Sequence, residues 1–137
     1  YAKICVYSFM KYSKIYIFIT LINVKAMSSV ISFDDFSKID LRIGTIIEVF
    51  DFEEAHKPAY KLTIDFGSLG IKKSSAQITS LYSKEDLLSK QIIANINFSK
   101  KQISNFVSEC LVLGAVEDSK VVLLSPEDSV PNGTPVR

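Results

Sequence analysis

The feature of this sequence that most constrains its fold is the segment of residues 60–66, in which apolar and polar side chains alternate at every position. The apolar members are Tyr60, Leu62, Ile64 and Phe66, and the polar members between them are Lys61, Thr63 and Asp65. A period of two is typical of a β-strand that buries one of its faces. Glycines at positions 67 and 70 then predict a turn into a second strand, residues 71–78. The chain is therefore expected to contain a β-hairpin.

Several flanking segments also have the composition of strands. Residues 42–50 are rich in β-branched and aromatic side chains, and Gly44 stands inside them, as expected at a bulge or a sharp barrel bend. Residues 91–98 and 109–116 are apolar enough to form buried strands, and residues 120–124 predict a shorter one.

Two short helices are predicted among these strands. Asp34 and Asp35 lie at the start of the first, where the helix dipole favours acidic groups, and this helix is expected to pack on the strand that follows. Ser83 and Asp86 fit a loose capping pattern for the second helix, which should end by Lys90. The order of elements predicts an all-β fold, a five-stranded Greek-key barrel of the OB-fold type with a short helix between strands 3 and 4.

The net charge of the chain excludes a global basic field as the basis of any binding. Sixteen basic and fifteen acidic residues among 137 give a formal charge of +1. The first 26 residues hold four lysines and no acid, which leaves twelve bases, fifteen acids and a charge of −3 for residues 27–137. A nucleic-acid or membrane partner would consequently need a local patch of charge.

The first 26 residues form a segment of unusual composition. Sixteen of them are Tyr, Lys, Ile, Phe or Asn, whose codons can consist of A and T alone, and Met27 resembles a start. This favours translated upstream DNA. The alternatives are a targeting leader, because lysines precede an uncharged run at residues 15–24, and an additional strand or helix. The run is shorter than the roughly 20 residues of a membrane span, so no membrane partner is expected, and the folded domain should occupy residues 27–137.

Motifs for catalysis or metal binding are absent from the sequence. His56 is the only histidine and lies among charged residues typical of a solvated loop, while Cys110 lies in an apolar run and is expected to be a buried hydrophobe. Cys5 and Cys110 are poorly placed for a disulfide framework, which favours a reducing, cytoplasmic compartment. We therefore expect no enzyme activity, no metal and no cofactor.

Polar and basic side chains instead cluster at two places. Residues 72–77 of the predicted third strand combine lysines with hydroxyl and amide groups, and residues 97–101 combine Asn97 and two lysines with the aromatic ring of Phe98. Each cluster by itself is also typical of a solvated strand edge. Taken together they predict one face able to contact phosphates, sugars and unpaired bases.

Seven segments of the sequence match a known pattern. They are FDDFSKIDLRIGTI (33–46), PAYKLTIDFG (58–67), GIKKSSAQIT (70–79), QIIANINF (91–98), SECLVLGAV (108–116), VVLLSP (121–126) and VPNGTPV (130–136). With these segments the chain resembles the CsaA-like branch of the free-standing tRNA-binding domain family, which is related to the C-terminal domain of methionyl-tRNA synthetases. The resemblance implies an OB-fold core, a homodimer formed through elements that flank the barrel, and non-catalytic binding of tRNA by its shape.

The resemblance also implies a set of binding residues. They are Lys73, Ser74, Ser75, Gln77, Asn97, Lys100, Lys101, Ser108 and Glu109. Relatives commonly have arginines and prolines within residues 99–102, and lysine lacks the planar guanidinium fork, so affinity should be modest.

The alternative function is that of a protein-export chaperone that holds unfolded preproteins, which the CsaA resemblance also implies. Exposed aromatic rings would serve such binding, although Phe50, Phe52, Tyr60 and Phe98 are expected to be core residues. A synthetase is a further candidate partner. The two functions differ in salt dependence, because charge-driven RNA binding weakens as salt rises and apolar peptide binding does not.

Overall fold

A computed structural model describes residues 29–137. The leader proposed for residues 1–26 therefore lies outside the described residues. The helices are α1 (Phe33–Ser37) and α2 (Lys84–Leu87), and a 3-10 turn covers Gly67–Leu69. The strands are β1 (Leu41–Asp51), β2 (Tyr60–Asp65), β3 (Ile71–Ala76), β4 (Gln91–Asn95), β5 (Lys101–Ile103), β6 (Phe106–Ser108), β7 (Leu111–Val112), β8 (Gly114–Glu117), β9 (Lys120–Leu123) and β10 (Pro135–Val136).

One antiparallel sheet in the order β3-β2-β1-β4-β7 forms the body of the domain. The long strand β1 joins its two halves, because its first residues pair with β4 and its later residues pair with β2. The register of the β1–β2 pair shifts between Ile46 and Glu48. A bulge of this kind increases strand twist and bends the sheet, which allows one strand to serve both halves of a barrel.

The two ends of this sheet approach each other through the segment that follows β6. The amide of Glu109 donates to the carbonyl oxygen of Lys73 at 2.7 Å, and the hydroxyl of Ser74 donates to the carbonyl oxygen of Cys110 at 2.9 Å. These bonds connect β3 to the residues before β7. The result is a nearly closed five-stranded barrel, which confirms the predicted OB-like fold.

The core fills the barrel with side chains from the alternating face of β2 and its neighbours. Leu62, Ile64 and Phe66 are almost entirely buried, as the alternation predicts. Gly44 allows close packing, because a Cβ there would lie 2.6 Å from Cε1 of Phe66. The bulge expected at this glycine lies further along β1, and close packing is what requires a residue without a side chain here.

Helix α2 closes one end of the barrel and confirms the predicted capping pattern. The hydroxyl of Ser83 accepts from the amide of Asp86 at 3.2 Å, and the carboxylate of Asp86 accepts from the amide of Ser83 at 2.9 Å. This capping box fixes the start of the helix, so that Leu87 is buried completely. The helix ends at Leu87, before Lys90.

Three expectations about packing were wrong. Residues 109–116 do not form one buried strand. Only β7 pairs with β4, and β8 begins at Gly114 and forms a separate hairpin with β9. Most of β8 is exposed. Helix α1 buries none of its residues. Phe50 and Phe98 are 57% and 56% exposed, whereas Phe52 and Tyr60 are buried as expected. No helix among residues 29–137 is both long and apolar enough to cross a membrane.

Candidate nucleic-acid interface

Glu109 holds the backbone of Lys73 from both sides. Its amide donates to the carbonyl oxygen of Lys73, and its carboxylate oxygen Oε2 accepts from the amide of Lys73 at 3.1 Å. The side chain thus replaces a neighbouring strand at a point where β3 would leave an amide unpaired. The exposed side chain of Lys73 is thereby presented at a fixed position on the surface.

Glu109 also binds a lysine from a different part of the chain. Its second oxygen, Oε1, lies 3.0 Å from Nζ of Lys100, whose side chain is 70% exposed. The Lys100 ammonium and then the Lys73 amide hold the pKa of Glu109 below its usual value, so the carboxylate stays ionised at neutral pH. One carboxylate therefore bonds the ammonium of Lys100 and the backbone of Lys73, and the charge of Lys72 also lies near enough to lower its pKa.

The hairpin of β5 and β6 carries a further lysine close to this region. Lys101 pairs with Ser108 in its ladder and is exposed. At the other end of the hairpin, the side-chain amide of Asn105 donates to Glu54 at 3.0 Å, and the ring of Phe106 lies 5.5 Å from that of Phe52. A hairpin this short is unstable by itself. The contacts of Asn105 and Phe106 at its tip therefore help to fix the position of the hairpin, and with it the position of Lys101.

An open depression lies between the hairpin and β3. Its volume is about 600 Å³, and its lining combines two lysines, two further polar side chains and two apolar ones: Lys73, Lys100, Asn105, Phe106, Val107 and Glu109. Cations, a carboxylate and an aromatic ring on one surface are a combination suited to nucleotides.

Serines 74 and 108 lie at the seam of the barrel. Ser74 is 1% exposed and donates to the carbonyl oxygen of Cys110, to which the hydroxyl of Ser108 also donates at 3.2 Å. The hydroxyl of Ser74 has no access to a large ligand in this arrangement. Ser75 is half-buried on β3, and Gln77 is exposed just beyond it.

Asn97 serves the packing of the segment after α1. Its side-chain amide donates to the carbonyl oxygen of Lys38 at 2.6 Å, and its side-chain oxygen accepts from the amide of Asp40 at 3.0 Å. Both ends of the amide are therefore bonded to backbone, and Asn97 is not among the residues that line the depression. The structure thus brings Lys73, Lys100 and Glu109 together and gives Asn97 partners of its own.

Two predictions about reactive side chains are confirmed. Cys110 is 4% exposed, and its burial raises the pKa of the thiol to about 11. His56 lies in the exposed loop between β1 and β2. Among residues 29–137, no group of three or more histidine, cysteine or acidic side chains is placed to hold a metal ion.

Sequence analysis missed the three lining residues at the tip and second strand of the hairpin. Asn105, Phe106 and Val107 follow Ser104, which takes a left-handed conformation with φ of 52° at a turn that contains no glycine. The signal that could have found the hairpin is the alternation of apolar Ile103 with its polar neighbours, in a segment too short for a firm prediction.

Comparison with known proteins gives consistent results. Residues 41–135 match the model of the family described as "Putative tRNA binding domain". The chain is 51% identical to the solved structure of the chaperone CsaA from Bacillus anthracis, with a TM-score of 0.77 over 80% of this chain and 100% of that one. It is 55% identical to the CsaA chaperone protein from Picrophilus torridus, with a TM-score of 0.74 over 79% of this chain and 100% of that one.

Much larger proteins contain a similar segment. The chain is 37% identical to part of the methionine–tRNA ligase of Pyrococcus furiosus, over 107 residues. The match covers 78% of this chain and only 14% of the enzyme.

Proposed function

The chain belongs to the tRNA-binding domain family, in its CsaA-like branch, and from this premise we propose that it binds tRNA by shape and catalyses no reaction. The proposed contact region, called here the lysine surface, consists of Lys73, Lys100 and Lys101 with Ser75 and Gln77. The observation that carries this proposal is that Glu109 bonds both the backbone of Lys73 on β3 and the ammonium of Lys100 just before β5, and that both lysines line one depression.

Lysines act on tRNA mainly by neutralising phosphates. Each contact releases counterions from the RNA, and this gain is larger at low salt. Residues 27–137 carry a charge of −3, so nonspecific attraction to RNA is weak and binding depends on the local surface. Hydroxyl and amide groups such as those of Ser75 and Gln77 then contact sugars and exposed bases.

Within residues 29–137, the states of the one cysteine and the one histidine support binding without catalysis. The thiol of Cys110 is buried and its pKa is raised, which keeps it protonated and weakly nucleophilic at neutral pH. His56 is exposed on a loop. A buried free thiol is also consistent with the reducing, cytoplasmic location that we propose.

We propose further that the protein is a homodimer, formed through apolar side chains that flank the barrel. Phe33 on α1 is 80% exposed, Ile39 just after the helix is 42% exposed, and Phe98 after β4 is 56% exposed. The bonds from Asn97 to Lys38 and Asp40 place Phe98 beside the end of α1. A second copy of the chain would remove this apolar surface from water and give the particle two lysine surfaces.

Charge reversal tests the proposed function. Lys100→Glu with Lys101→Glu should reduce the affinity for unfractionated tRNA at least tenfold in a filter-binding or fluorescence titration, because attraction to phosphate becomes repulsion. Lys84→Glu with Lys120→Glu changes the charge equally at exposed positions elsewhere and should retain most of the affinity. Equal affinities of the two variants, at equal thermal stability, would remove the lysine surface from the binding site.

Peptide binding is a second candidate function, favoured by the relatives that are described as chaperones and by the exposed ring of Phe50. Under this alternative a reduced, unfolded protein should bind with an affinity that is insensitive to salt. The same titration at two salt concentrations therefore distinguishes it from charge-driven binding of tRNA.

A further inference from the structure

We propose that the depression lined by Glu109 and Phe106 holds one unpaired nucleotide and prefers a base that carries an amino group. This inference rests on the proposed binding of RNA and adds a chemical selection at the same surface. The depression has a volume of about 600 Å³ and is open to solvent, so a nucleotide within an RNA strand can reach it.

The preference comes from the presence of a carboxylate within a cationic surface. An ionised carboxylate has about four acceptor positions, and the bonds to Lys73 and Lys100 use one on each oxygen of Glu109. The side chain is 27% exposed and lines the depression. It can therefore accept further hydrogen bonds from a ligand.

A carboxylate distinguishes cytosine from uracil, although the two pyrimidines have nearly the same shape. Cytosine presents the N4 amino group as a donor, and glutamate is a suitable acceptor for it. Uracil presents the O4 carbonyl at that position, and two acceptors facing each other repel. Glu109 should therefore select bases with an exocyclic amino group over uracil.

The other lining residues suit the rest of a nucleotide. Phe106 and Val107 offer an apolar surface, and the side-chain amide of Asn105 is bonded to Glu54, which holds this wall in place. Lys73 and Lys100 provide the charges for the phosphate. Because the side chain of Lys100 is 70% exposed, it can exchange the carboxylate of Glu109 for a phosphate when RNA binds.

The experiment compares hexacytidylate and hexauridylate RNA, each with a fluorescent label, in titrations at low salt. We expect the unaltered protein to bind hexacytidylate about 2- to 12-fold more tightly, the ratio that one hydrogen bond provides. Glu109→Gln should abolish this ratio, because the amide can accept from cytosine and donate to uracil. The glutamine side chain retains an oxygen that accepts from the amide of Lys73. The thermal unfolding of the variant is measured alongside to show that it is folded.

Phe106→Ala is the matched control for the wall of the depression. It should weaken binding of both oligonucleotides while leaving the ratio of the two affinities in place. Equal affinities of the unaltered protein for the two RNAs would overturn the nucleotide proposal, as would a cytosine preference that persists in Glu109→Gln. If tRNA still binds in either case, the proposed function stands, whereas failure to bind tRNA and both oligonucleotides overturns both proposals.

Discussion

Removal of two lysines should change the salt dependence of tRNA binding by a defined amount. The lysine surface offers three cations, Lys73, Lys100 and Lys101, so a plot of log K against log salt should have a slope of about −2 to −2.7 per site, from 0.7 to 0.9 for each phosphate neutralised. A fourfold rise in salt then lowers the affinity roughly 20- to 40-fold. In Lys100→Gln with Lys101→Gln one of these cations remains, and the same rise should lower the affinity only about threefold.

The measurement is a set of titrations with unfractionated tRNA at four salt concentrations between 50 and 200 mM, a range over which such slopes are resolved (about 0.6 in log salt). Lys84→Gln with Lys120→Gln is the control, since it removes the same charge at exposed positions outside the lysine surface. The control should keep the slope of the unaltered protein. If the control and the Lys100/Lys101 variant shift the slope equally, net charge governs binding and the surface assigned here is wrong.

Three further predictions concern the barrel and its seam. Gly44→Ala should lower the free energy of unfolding by about 1 to 3 kcal/mol in urea titrations, because the added Cβ meets the buried ring of Phe66; an unchanged midpoint would mean that β1 can shift freely. Cys110 should react with a thiol reagent at pH 8 far more slowly in the native protein than in urea, since burial raises its pKa to about 11, and equal rates would contradict that burial. The pKa of Glu109 is lowered by Lys100 and Lys73, so its contribution to stability is present above the usual value of 4.5 and is lost as the pH falls through the lowered pKa. The difference in stability between the unaltered protein and Glu109→Gln should therefore shrink between pH 6 and pH 3. A constant difference would contradict the ion pair.

Sequence alone predicted the parts of the fold that depend on local pattern. The alternation of residues 60–66 placed Leu62 and Ile64 in the core, and the Ser83 and Asp86 pair placed the start of α2. Both signals act within a few residues, so neither needs knowledge of the tertiary structure. The division of residues 109–116 could not be predicted, because an unbroken apolar run gives no sign that the strand leaves β4 to form a hairpin with β9.

The candidate site shows the same division between local and tertiary information. Alternation along residues 73–77 separates Lys73, Ser75 and Gln77 from the inward Ser74, and this period could have removed Ser74 from the expected contacts. The double role of Glu109 could not be read from its neighbours, because Lys73 lies 36 residues away and meets it only when the barrel closes. Lys100 lies nine residues away and meets it through the hairpin of β5 and β6, which was not predicted. Asn97 likewise finds its partners near α1 only in the folded protein.

The most direct test of tRNA binding is to recover and size the nucleic acid that accompanies the protein when it is purified natively at low salt. We expect RNA of tRNA length, released from the protein as salt is raised. Recovery of no RNA, or of RNA without enrichment at tRNA length, from protein that is folded and free of denaturant would contradict it.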